Sequence, residues 1–169
     1  MKILAICGST RRLSSNGKLL KFLSANYFNN QLETISNIHE LPLFADTGTK
    51  PNHPELTKIL HSISNTQKII ISTPEYLKNI PAALKNLLEW SNLDSNFAHK
   101  TVLPIVYTPH PPRGESAMNA LCQSLLALNA SIPAQLLIHQ SQIRFSDQGD
   151  LIKNDIPDLL DGAIELLGT

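Results

Sequence analysis

Apolar residues follow two rhythms along this chain: short runs in which nearly every position is apolar, and longer stretches in which apolar residues recur three or four apart. The runs predict strands at residues 2–7, 33–38, 68–73, 101–107 and 134–138. The longer stretches predict a helix at 18–28, with Leu19, Leu20 and Leu23 on one side, and another at 54–64 carrying Leu56, Ile59, Leu60 and Ile63. A third at 81–90 presents Leu84, Leu87 and Leu88, and a fourth at 116–128 gathers Met118, Leu121, Leu125 and Leu128. A last helix, from residue 157, carries Leu159, Leu160, Ala163 and Leu166. Strand and helix alternate from end to end without a repeat, a low-complexity linker or a break in composition. That pattern predicts a single domain over residues 1–169, an α/β fold with a doubly wound five-stranded parallel sheet of order 2-1-3-4-5 and helices on both faces. The β-branched run Ile69-Ile70-Ile71 marks the third strand as central and covered on both sides. In this order the topology switches between the first and third strands, so the loops after Cys7 and Thr73 are predicted to flank a ligand.

The first of those loops reads Gly8-Ser9-Thr10-Arg11-Arg12-Leu13-Ser14-Ser15-Asn16-Gly17. Gly8 permits a sharp turn, the hydroxyls offer short donors, Arg11 and Arg12 bring charge, and Ser14 to Asn16 are placed to cap the following helix. Amide groups at a helix N-terminus, together with the helix dipole, favour a phosphate. An ordinary tight turn uses the same residue types, so composition alone leaves both readings open. A dinucleotide fingerprint needs second and third glycines that are missing, and a Walker loop needs a Gly-Lys pair followed by Ser or Thr, whereas Gly17-Lys18 is followed by Leu19. The loop suits a terminal phosphate monoester.

Charge narrows the classes further. Fourteen basic residues balance 14 acidic ones, with no basic run or basic-aromatic interleaving, which argues against nucleic acid or an anionic membrane as partner. No apolar run approaches the roughly 20 residues of a membrane helix, and the N-terminal run is too short for a signal-peptide core. The expectation is a cytoplasmic protein, in keeping with Cys7 and Cys122, which lack a C-x-x-C spacing and suit a reducing compartment. The six histidines (39, 53, 61, 99, 110 and 139) show no metal-ligand spacing, and no metal is expected.

The second loop reads Thr73-Pro74-Glu75-Tyr76-Leu77-Lys78-Asn79-Ile80-Pro81 and leads into Leu84-Lys85-Asn86 and Glu89-Trp90. With Gly8-Ser9-Thr10-Arg11, Ser14 and Asn16, these motifs resemble the NADPH-dependent FMN reductase family. The resemblance implies a flavodoxin-like fold, non-covalently held FMN, NADPH or NADH as co-substrate, and a small-molecule electron acceptor such as free flavin, a quinone or an azo compound. It also implies a homodimer or homotetramer. Residue by residue, it gives Ser9, Arg11, Ser14 and Asn16 the FMN phosphate and ribityl chain, and Pro74, Glu75 and Tyr76 the border of the isoalloxazine. No catalytic side chain is implied, because the flavin carries the hydride chemistry. On the residues alone, Tyr76 also reads as a loop aromatic shielding a helix end, and Glu75 as a solvated carboxylate or helix-start charge. Trp90 reads as a core residue in preference to an interface residue.

Two departures from the family pattern stand out. Leu77 occupies a position where asparagine is common, removing a polar contact. After the fourth strand, Thr108-Pro109-His110-Pro111-Pro112-Arg113-Gly114 replaces a serine- and glycine-rich turn. Its prolines lack amide donors, so this segment is expected to narrow the acceptor pocket and leave FMN to the other two loops. Arg12 and Arg113 are candidates for a 2′-phosphate, or plain surface charges. Two rival functions share the fold: a flavodoxin-type electron carrier, disfavoured by the neutral charge balance, and a small cysteine-dependent phosphatase. The latter needs a C-x-x-x-x-x-R loop, and Leu13 stands where its arginine should be.

Overall fold

Five segments pair edge to edge in the computed structural model, which describes residues 3–168. They are β1 (Ile3–Cys7), β2 (Glu33–Ile35), β3 (Lys68–Thr73), β4 (Thr101–Thr108) and β5 (Leu136–His139), parallel and in the predicted order β2-β1-β3-β4-β5. Lys2, the predicted start of the first strand, lies outside the described residues. β3 runs in register with both neighbours, from Ile3↔Lys68 to Cys7↔Ser72 on one side and from Lys68↔Thr101 to Thr73↔Val106 on the other.

Alternate side chains of each strand feed two separate cores. Leu4, Ile6, Ile69, Ile71, Val102 and Val106 pack beneath α2 (Pro54–Ser64), α3 (Ala82–Asn92) and α4 (Glu115–Ala127). Ile3, Ala5, Cys7, Ile70, Leu103 and Ile105 pack beneath α1 (Ser15–Tyr27) and α5 (Pro157–Leu166). Covering both faces is what makes the strands read as continuous apolar runs, each fully buried Ile or Leu contributing about 1.5–3 kcal/mol. Trp90 belongs to the first core: its Nε1 donates to the Pro42 carbonyl at 2.8 Å and Phe44 meets its ring edge-on at 5.0 Å.

Beside shifts of one or two residues at other element ends, such as β5 starting at Leu136 rather than 134, the structure departs from the sequence expectation in three places. β2 ends at Ile35 rather than 38, and Ile38 is buried in a 3₁₀ turn at Ile38–Glu40. As an edge strand held by β1 alone, β2 has pairing for only three residues. The first helix begins three residues early, because the Ser14 hydroxyl accepts the Gly17 N–H at 3.0 Å and fixes the cap there. Lastly, β5 is followed by an unanticipated antiparallel hairpin, β6 (Ile143–Phe145) and β7 (Leu151–Asn154). Its strands are too short to display an alternation.

Pro104 sits inside the interior strand β4 without breaking the sheet. The Val102 N–H reaches Ser131 on the β5 side, and pairing with β5 itself begins only at Ile105, so the missing donor of Pro104 falls in the gap.

Candidate active site

The loops after β1, β3 and β4 meet at the carboxyl end of the sheet. Gly8 continues the pairing of β1, donating its N–H to the Ser72 carbonyl at 2.8 Å. It must be glycine: a Cβ there would lie 2.6 Å from Thr73 Oγ1 and 2.9 Å from Leu84 Cδ2. This close approach lets the chain turn over β3 and enter α1. The Ser9 hydroxyl oxygen, buried, accepts the Arg11 N–H at 3.3 Å, while the Arg11 and Arg12 side chains remain exposed. Ser14 caps α1, and no acidic residue occupies the helix's first turn. The positive end of the dipole and the hydroxyls of Ser9 and Ser14 therefore share this loop with two exposed arginines, without a competing carboxylate from α1.

Asn16, expected at the FMN phosphate and ribityl chain, has its side chain engaged within the protein. It is only 3 % exposed, and both ends of its amide are engaged: Nδ2 donates to the Tyr107 carbonyl at 3.3 Å, and Oδ1 accepts the Ser72 hydroxyl at 2.8 Å. The residue ties the first turn of α1 to β3 and β4 at once. Ser72 was missed by sequence reasoning, although a Ser-Thr pair ending an otherwise apolar strand is a legible signal. Cys7 Sγ lies under the loop, 3.7 Å from both the Ser9 carbonyl and Ser14 Oγ, and its side chain is shut away from solvent. A nucleophilic thiolate of the phosphatase kind needs exposure that this position denies.

The loop after β3 divides at Glu75. Pro74 is half-buried, and Glu75, read from sequence as a ring-bordering residue or a solvated carboxylate, is buried. Its Oε2 accepts the N–H groups of Gly114 and Ala117 at the start of α4. Tyr76 and Asn79 then exchange two backbone hydrogen bonds of 2.9 Å around Leu77 and Lys78, both in the left-handed region at φ 50° and 61°. Leu77 is 100 % exposed at this tip, where asparagine tolerates the left-handed backbone more readily. Tyr76, half-exposed, faces a groove of about 960 Å³ between α3 and α4, lined also by Phe44, Ile80, Leu88, Ala120 and Leu128.

On the far side, the residues after β5 close against α1. Gln140 Nε2 donates to Ser15 Oγ at 3.3 Å, and Lys18 Nζ donates to the Ser146 carbonyl at 2.7 Å. The Thr108 hydroxyl donates to the Arg113 carbonyl at 3.1 Å, so its oxygen accepts from His139 Nδ1 at 2.8 Å. Burial, reinforced by the neighbouring charge of His110, pushes the His139 imidazole below its ordinary value.

A doubly wound sheet with a hydroxyl-rich cradle at its β1/β3 switch point defines a flavodoxin-like mononucleotide-binding protein. The family model for NADPH-dependent FMN reductase matches residues 1–142, and the chain belongs to that family. It is an oxidoreductase with FMN as cofactor and NAD(P)H as reductant. Its sequence is 30% identical over 157 residues to the NADH:(hydroxy)cinnamate reductase subunit CrdA of Vibrio ruber, covering 90% of this chain and 78% of that protein. It is 26% identical over 161 residues to an NADPH azoreductase of Bacillus sp. strain OY1-2, covering 95% and 89% of the two chains. Among solved structures, an apo NADH:FMN oxidoreductase superposes with a TM-score of 0.78 at 22% identity, over 98% of this chain and 87% of that one. That likeness extends the agreement in fold through the hairpin and α5, beyond the family match.

Proposed function

We propose that this protein holds FMN across the carboxyl end of its sheet and passes electrons from NAD(P)H to a small acceptor: free flavin, a quinone or an azo compound. The observation carrying the placement is the start of α1, where a capped helix N-terminus without an acidic first turn lies beside Arg11 at the topological switch point. The residues present fit a phosphate monoester. Ser9, Arg11 and Ser14 hold it with the loop amides, and Asn16 holds the loop. The backbone from Pro74 to Tyr76 borders the ring. Bound FMN supplies the hydride chemistry, so the protein's own work is binding, orientation and exclusion of water.

The test is a titration of apoprotein with FMN and riboflavin. FMN binds more tightly, and Arg11→Ala weakens it about tenfold, the loss of one charge-assisted contact. Lys18→Ala costs less, because Lys18 is already committed to Ser146 and lies 3.9 Å from Asp147. Equal affinity for the two ligands, or the reverse order of the two variants, moves the phosphate elsewhere.

The same reading includes a homodimer, or a homotetramer built from it, formed through the groove between α3 and α4. Tyr76, the fully exposed Leu77 and Leu88 give the groove an apolar floor beside Lys85, Glu89 and Gln123, the mixture of apolar centre and polar rim that subunit contacts use. Two free cysteines are in keeping with a cytoplasmic setting, and no helix among the described residues is long and apolar enough to cross a membrane.

A further inference from the structure

The first turn of α4 has no cap of its own. Gly114, at its N-cap, takes a left-handed φ of 115° and carries no side chain to serve the orphan amides. Those amides are served from another loop: Gly114 N–H and Ala117 N–H donate to Glu75 Oε2 at 3.0 and 3.3 Å. Glu75 is 4 % exposed, and the positive end of α4 meets its charge. A third bond runs the same way, from Arg113 Nη2 to the Glu75 carbonyl at 3.3 Å. The segment carrying these donors has little room to shift, since a Cβ on Gly114 would fall 2.3 Å from Leu137 Cδ1 and the Arg113 carbonyl is held by Thr108.

We infer that Glu75 is a positioning residue that latches the loop after β3 to the start of α4, and that the proline-rich segment 109–113 is the brace for this latch. The side chain points into the protein, while the backbone on either side of it is the part that borders the flavin ring; this rests on the placement of FMN proposed above. The latch also fills the N-terminus of α4 with the protein's own carboxylate, which leaves the start of α1 as the place for a phosphate. On this reading the segment serves the site by holding Arg113 and Gly114 in place, through Thr108 and the His110 carbonyl, where the sequence alone pointed to a loss.

The experiment compares wild type, Glu75→Gln, Glu75→Ala and Arg113→Ala as apoproteins titrated with FMN and with riboflavin. Glu75→Ala raises the Kd of both ligands by the same factor, about tenfold for two lost hydrogen bonds, so the preference for FMN is unchanged. Glu75→Gln keeps an oxygen able to accept both amides and recovers to within about threefold of wild type, and Arg113→Ala costs about threefold. Folded Glu75→Ala with wild-type affinity overturns the proposal, as does Glu75→Gln weakened as far as Glu75→Ala, or a change in the FMN-to-riboflavin preference. If Glu75→Ala does not fold, a Ser/Gly replacement of residues 109–113 takes its place: weaker binding of both flavins is expected, and tighter FMN refutes the brace. Hydrogen exchange at the amides of Gly114 and Ala117 in the apoprotein reads the latch without any flavin. Exchange is faster in Glu75→Ala or the loop replacement and restored in Glu75→Gln; unchanged exchange defeats the latch, whereas failure of wild type to bind either flavin defeats the placement of FMN.

Discussion

A single histidine carries a pH-dependent part of the stability. His139 donates Nδ1–H to Thr108, its backbone N–H is held by Gln142 Oε1, and burial together with the charge of His110 lowers its affinity for a proton in the folded state. Unfolded, it regains the ordinary value of 6.5. The unfolded chain therefore binds more protons than the native one in the interval below 6.5, so this contribution is complete above that pH and is lost as pH falls through it toward the folded value. Urea midpoints measured at about pH 7.5 and about pH 5.5 should fall more for wild type than for His139→Asn. Equal falls would contradict the assignment. Asn16 and Glu75 teach the complementary lesson about single residues. Both were legible as members of the two ligand loops, but their identity as polar residues could not reveal that their side chains turn inward to hold those loops. That outcome depends on contacts made 91 and 39 positions away along the chain, with Tyr107 and Gly114.

At the scale of elements, the helices of the doubly wound core were readable because each shows its period over a full turn or more, and the central strands because burial on both faces makes them continuous apolar runs. The hairpin β6–β7 was not. Three apolar-polar positions in β6 give no usable period, and what holds the hairpin is tertiary: the Tyr107 hydroxyl donates to the Ile143 carbonyl at 2.8 Å, and Phe145 meets Phe22 at 5.7 Å. Burial pushes the Tyr107 phenol up to about 12, so this donor keeps its proton throughout the working range. Tyr107→Phe removes the bond and leaves a buried carbonyl unmet, a loss of about 1–3 kcal/mol. Hydrogen exchange should show residues 143–154 opening more often in this variant while β1 and β3 stay protected. Undiminished protection of the hairpin would mean that the aromatic contact alone secures it. Boundaries were harder to read even where local chemistry sets them: Ser14 was among the residues expected to cap α1, yet the helix starts at Ser15 rather than at 18. The early end of β2 follows from its place at the sheet edge, which the order of strands predicts but the residues of β2 do not.

For the molecule as a whole, the groove between α3 and α4 predicts association. Ala127 lines it and is exposed, so Ala127→Glu places an unpaired charge in the contact and should convert a dimer to monomers in sedimentation at micromolar concentration. A wild-type monomer, or a dimer indifferent to this change, would assign the groove another use. The central claim, however, is that the chain carries FMN and lets NAD(P)H reduce it, with no protein side chain as the reacting group. Its most direct test is the visible spectrum of the freshly purified protein, followed under anaerobic conditions as NADPH or NADH is added and then a quinone. The expected result is a flavin spectrum that bleaches on addition of the nicotinamide and returns when the quinone is supplied. A flavin spectrum that persists in excess NADPH and NADH would contradict it, and would leave a flavin-binding electron carrier in its place.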